Sequence, residues 1–225
     1  MELFLKTLET EKARRSTEDR LRYYKCYPKQ EEFHAVGAKH REHLLMAGNQ
    51  IGKTLAGGFE AAMHATGRYP DWWKGRRFHR PTIGSACGVS GEVVRDTVQS
   101  GLVGRPGSIG IGAIPKDAIG ELVTARGIAD LLDTIKVDRV SGGTSIIGLK
   151  TYLSGLEKFQ GECLDYIWFD EEPDLAIYTE GLTRNKYRRG AGRDVPPAGS
   201  GPRCDFVSGG SILHLPSSKT AIATF

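Results

Sequence analysis

The 225 residues suffice for one α/β domain with its own core and leave no room for two of comfortable size. Lysine and arginine outnumber aspartate and glutamate 31 to 27, which permits a nucleic-acid partner but falls far below the charge density that would argue for one. Cys26, Cys87, Cys163 and Cys204 are widely spaced, and His40 and His43 lack a second ligand pair at zinc spacing, so they read as reduced thiols and surface imidazoles rather than a metal centre.

The first residues, MELFLKTLETEKARR, become charged too soon for a secretory signal, and no apolar run approaches a membrane span. The expectation is a cytosolic protein with no membrane association. From Leu3 to Tyr24 sparse apolar residues stand among charges, which predicts an exposed helical arm over 1–26. After Pro28, QEEFHAVG predicts a short helix ending near Gly37, and LLMA reads as a strand. Lys53 to Ala65 carries helical spacing at Leu55, Phe59, Ala62 and Met63, against the weak helix preference of Gly57 and Gly58. PTIGSA (81–86) predicts a second strand, and Ser90 an N-cap for a helix through Val93, Val94, Val98 and Leu102. GRPGSIGIGAIPKD reads as a loop, and the spacing over Ala118 to Leu132 predicts a helix. TIKVDRV, SGG and TSIIGLKTYL read as strand, turn and strand, and LDYIWFDEE as a buried strand running into acids. Strands alternating with helices predict an α/β domain over 27–184 with a largely parallel central sheet, its ligands at the carboxyl ends of the strands.

LLMAGNQIGKT follows a predicted strand and opens a predicted helix, the setting of a phosphate-binding loop. Glycine frees closely spaced backbone N–H groups to wrap an anion at a helix start, and a lysine adds a full positive charge. The steric demand is greatest at Gly52, where a side chain would meet the phosphate. Ala47 replaces the consensus glycine at the strand exit, the most tolerant position, and Gly48 beside it can form the bend. The predicted nucleotide-binding set is Tyr27, Gln30, Gly48, Asn49, Gln50, Ile51, Gly52, Lys53 and Thr54. Tyr27 offers a stacking surface, and the Gln30 amide can both donate to and accept from an adenine edge.

Such a loop needs an acidic partner from a neighbouring strand. YIWFDEE offers it: Asp170 to hold magnesium together with Thr54, and Glu171 to deprotonate water. Acids also follow strands merely because the chain is leaving the core, so the motif gains meaning from its pairing with the upstream loop. Lys53 and Glu171 are the predicted catalytic residues of an ATP- and Mg2+-dependent hydrolase.

YPKQEEF, AGNQIGKT, SGGTSIIGLKTYLSGLEKFQG and DYIWFDEEPDLAIYTEGLTR together resemble the ATPase domain of the large terminase subunit, the DNA-packaging motor of tailed bacteriophages, over roughly Tyr27 to Arg184. The resemblance implies a three-layer P-loop NTPase domain of the RecA-like, ASCE type, with Lys53 and Thr54 in Walker A, Asp170 and Glu171 in Walker B and Gln30 as the adenine contact. It further implies a phage or prophage protein of the host cytoplasm that moves double-stranded DNA into a procapsid as a ring on the portal protein, with a small terminase subunit. The enzyme-class alternative is a fragment of a DEAD-like helicase; the non-enzymatic one is a degenerate prophage remnant that does not turn over nucleotide.

The chain departs from that family in three respects. Asn49 and Gln50 stand where some members carry an arginine in Walker A, leaving Arg95, Arg126, Arg139 or a neighbouring subunit to supply one. The coupling motif after Walker B has only SGGS (208–211) or the terminal AIATF as counterparts, and no nuclease domain is expected within these 225 residues. Apolar periodicity also ends at Asn185. One permitted codon choice for GRDVPPAG reads, one base later, as Val-Val-Thr-Phe-Arg-Pro-Leu, so 185–225 is expected to be an irregular or out-of-frame tail.

Overall fold

The computed structural model describes residues 2–46, 52–161, 163–184 and 220–224. The arm is α1 (Glu2–Glu18), whose Leu5 and Leu8 remain exposed, whereas Leu21 and Tyr24 just after it are buried. Pro at the first position opens α2 (Pro28–Val36), and Gly37 caps its end. Strand β1 (Glu42–Met46) leads towards α3 (Lys53–Thr66), and β2 (Ile83–Gly88) follows. The Ser90 hydroxyl accepts from the Val93 N–H at 3.3 Å and starts helix α4 over 91–102, of which Val94–Gln99 winds as a π-helix. Then come β3 (Ile119–Thr124), β4 (Leu132–Asp138), β5 (Thr144–Thr151), β6 (Tyr166–Asp170), α5 (Leu175–Arg184) and β7 (Thr220–Thr224).

These strands form one seven-stranded sheet in the order β1-β7-β6-β2-β5-β4-β3. It is mixed, contrary to the largely parallel sheet expected. Strand β2 runs parallel to β5 and β6, while β4 is antiparallel to β3 and β5, and β7 is antiparallel to β1 and β6. Much of the difference lies in 118–132, where the expected helix is instead β3 and the turn into β4. Ile119, Leu122 and Ala125 carry helical spacing, but the register of β3 against β4 shifts between Ile119 and Leu122, and Gly127 and Asp130 take positive φ, which reverses the chain into a hairpin. Strand β3 lies at the sheet edge, half exposed, so it needs no helical stripe.

Strand β6 is buried at every position and divides its side chains between two cores. Tyr166 and Trp168 pack with Phe59, Met63, Val94, Val98 and Leu102 from α3 and α4. Ile167 and Phe169 face the other way, onto Cys87, Phe159, Leu164 and Ile177 of α5. Each such aliphatic or phenyl side chain contributes roughly 1.5–3 kcal/mol relative to exposure. Gly57 of α3 is dictated by this packing, because a Cβ there would lie 2.4 Å from Trp168 Nε1.

Since β7 is antiparallel to both β1 and β6, these two share a direction, which β2 and β5 share as well. The segments leaving β1, β6, β2 and β5 therefore emerge at one edge of the sheet. The expected tail is described only at Thr220–Thr224, where part of AIATF forms β7; SGGS lies outside the described residues.

Candidate functional site

Lys53 and Thr54 open α3, with Gly52 before them in the left-handed region at φ 79°, a conformation that suits glycine. The Lys53 side chain is buried. Gly48, Asn49, Gln50 and Ile51 lie outside the described residues. Gln30 is buried on α2 and spans to this corner: its Nε2 donates to the Gly52 carbonyl at 3.0 Å, and its Oε1 accepts the Tyr27 N–H at 2.9 Å. A side chain at residue 52 would crowd that amide, its Cβ lying 3.0 Å from Gln30 Nε2. Tyr27 is exposed, with its ring towards solvent.

From β6, 116 residues further along the chain, Asp170 reaches the same corner. The Thr54 hydroxyl donates to its carboxylate, 2.9 Å from Oδ1 and 3.2 Å from Oδ2. Both residues belong to segments that the common strand direction brings to one edge. Glu171 follows, half-buried and at φ 94°, and its carbonyl accepts a hydrogen bond from the Tyr152 hydroxyl at 2.9 Å. Tyr152, just beyond β5, was not among the predicted site residues; an aromatic after a strand carries no signal of such a contact in the sequence.

Residues 44–195 match the family model for the terminase large subunit, T4likevirus-type, N-terminal, a stretch that includes Lys53, Thr54, Asp170 and Glu171. The chain belongs to the terminase large subunit family. It is 39% identical over 204 residues to the large subunit of the terminase of Salmonella phage P22, an alignment covering 81% of this chain and 41% of that protein. The chain thus spans under half the length of this relative. No solved structure matches it.

Behind helix α3 this terminase chain holds a buried ionisable cluster that sequence reasoning missed. The Glu60 carboxylate on α3 is fully buried, with His34 Nδ1 at 2.7 Å from Oε2, and His43 Nε2 and His64 Nε2 each at 3.6 Å from Oε1. Tyr24 and Tyr69 hydroxyls lie 3.1 and 3.0 Å from the other nitrogens of His34 and His64. Burial pushes the Glu60 carboxyl up, but the imidazoles around it, His34 foremost, outweigh burial and hold it well below the usual range. Burial lowers His64 despite Glu60 beside it. His43 is therefore not the surface imidazole expected: β1 alternates exposed and buried residues and turns His43 and Leu45 inwards. His40 is exposed, as expected. The helical spacing of Glu60 and His64 was the available signal.

The three candidate arginines of this terminase differ in their surroundings. Arg139 is buried, its guanidinium donating to the His64 carbonyl at 2.8 Å, to Ser141 Oγ at 3.0 Å and to the Phe78 carbonyl, so it ties α3 to the strands. Arg95 pairs with Asp96 at 2.8 Å, and Arg126 is exposed in the β3–β4 turn.

Proposed function

We propose that this chain is the ATP-hydrolysing portion of a terminase large subunit. The observation that carries the reading is the meeting of Thr54 with Asp170 at 2.9 Å, which gathers the lysine-bearing helix start and the acidic strand end around one corner. ATP would lie along Gly48 to Thr54, with Lys53 against its phosphates and Tyr27 and Gln30 on the base side. A hydroxyl and a carboxylate are hard oxygen donors, so Thr54 and Asp170 suit Mg2+, which when bound offsets the charge developing on the phosphates. Glu171 is the base that takes a proton from the attacking water. In the longer protein the energy would drive double-stranded viral DNA into a procapsid, in the host cytoplasm, as a homo-oligomeric ring with the portal protein and the small terminase subunit. Membership of the terminase family supports this setting over a helicase. Among the described residues, no helix is long and apolar enough to cross a membrane.

The test is isothermal titration of ATP with Mg2+ together with a phosphate-release assay. Lys53→Ala should abolish binding, whereas Glu171→Gln should keep binding and lose turnover. A Glu171→Gln protein that hydrolyses ATP at the parental rate removes Glu171 from the role of base. Binding without turnover in the parental chain favours the non-catalytic alternative.

A further inference from the structure

Among the described residues, Glu171 and Asp130 are the non-glycine residues at positive φ. Asp130 sits in a turn, where a short polar side chain tolerates that conformation, but Glu171 follows a fully buried strand and has no such excuse. A left-handed residue with a longer side chain persists only where its surroundings impose it. One contact that can impose it is the Tyr152 hydroxyl, which donates to the Glu171 carbonyl at 2.9 Å. We infer that Tyr152 is a positioning residue that holds the Glu171 peptide in its left-handed conformation and so fixes the direction in which the Glu171 carboxylate leaves the backbone. The inference rests on the reading of Glu171 as the base.

Tyr152 is itself well held. Its ring lies 6.2 Å from that of Phe169 on β6, and the next residue, Leu153, donates its N–H to the Val89 carbonyl beyond β2 at 3.2 Å. The phenol therefore reaches from the end of β5, past the end of β2, to the residue after β6. Burial, with Cys87, Asp170 and Glu171 nearby, pushes its ionisation up, so it remains a donor throughout the working pH range. A tyrosine that served packing alone would not need its oxygen.

Tyr152→Phe keeps the ring and removes that oxygen, so it separates the two roles. The expected result is turnover lowered about tenfold at unchanged ATP affinity, and, in a crystal structure of the variant, Glu171 relaxed to negative φ. Parental turnover together with Glu171 still near φ 94° would overturn the inference. Glu171→Gln, assayed in parallel, keeps the two hypotheses apart. Full activity of Glu171→Gln discards the base while the φ of Glu171 in Tyr152→Phe still decides what Tyr152 does; an inactive Glu171→Gln beside a fully active Tyr152→Phe discards the positioning role alone. The φ measurement needs no turnover, so it also decides the matter in a chain that binds ATP without hydrolysing it.

Discussion

Replacing Glu60 by glutamine tests whether the buried histidine cluster is held by charge. The carboxylate has no exposure, and its closest partner, His34 Nδ1, lies 2.7 Å away on a different helix. Removing one member of a buried, hydrogen-bonded pair costs about 3–5 kcal/mol, because its partner is left unsatisfied where water cannot replace it. Glutamine keeps the volume and can still hydrogen-bond, which points to the lower end, about 3 kcal/mol. For a chain of 225 residues, 1 kcal/mol shifts Tm by roughly 2–4 °C, so Glu60→Gln should melt about 6–12 °C below the parent by calorimetry or circular dichroism at neutral pH. The folded carboxyl is held below its unfolded value of about 4.5, so its contribution is complete above that pH and is lost only as pH falls through the lower folded value. A variant melting within 2 °C of the parent would show that hydrogen bonding and shape, not charge, hold the cluster together.

His64 is depressed by burial below its unfolded value of 6.5, so its contribution to stability is complete above pH 6.5 and declines as pH falls below it. The parental Tm should fall between pH 7.5 and 5.5, with a shallower slope in His64→Gln, and an unchanged slope would contradict the assignment. Gly57→Ala places a Cβ 2.4 Å from the buried Trp168 indole and should destabilise by about 1–3 kcal/mol in denaturant titration despite the better helix propensity of alanine. Gly58→Ala meets nothing closer than 3.7 Å and should stabilise by about 0.5–1 kcal/mol, so two adjacent and chemically identical changes are expected to differ in sign. Glu171→Gly relieves a side chain at φ 94° and should raise stability by roughly 0.5–2 kcal/mol while abolishing turnover, a trade seen as higher Tm with no phosphate release.

The parts of the site legible in the sequence were those with local rules. A strand, a glycine and a Lys-Thr pair at a helix start, and an apolar strand ending in acids, each state their chemistry within ten residues, and the structure brings Thr54 and Asp170 into contact. What escaped depends on distant neighbours. The 118–132 stretch carries spacing that fits a helix, and only the edge position of β3 and the reversal at Gly127 decide for strands. His43 looks polar and exposed until β1 is paired and its alternation points the imidazole inwards. Gly57 and Gly58 look alike as helix breakers, and only Trp168, more than 100 residues away, separates them. Glu60 reads as one more charge on a helix because its partners His34 and His43 come from α2 and β1.

Helix α3 joins the Thr54–Asp170 contact to the Glu60 cluster. Its first residues, Lys53 and Thr54, meet Asp170, and Glu60, seven residues after Lys53 and about 10 Å along the axis, is gripped by imidazoles from α2 and β1. Those same elements flank the loop: α2 carries Gln30, which donates to the Gly52 carbonyl, and β1 runs directly into the loop. The Glu60 cluster thus fixes three segments relative to one another at a distance from the Thr54–Asp170 contact. Under the proposed function the start of α3 presents its N–H groups and its lysine to a phosphate and gains nothing from rotating or sliding, and a buried carboxylate set among three imidazoles resists both motions more sharply than apolar packing, because any displacement strands a charge. On this account the ionisable cluster, despite its desolvation cost, contributes alignment of the Lys53 end of α3 and not net stability alone.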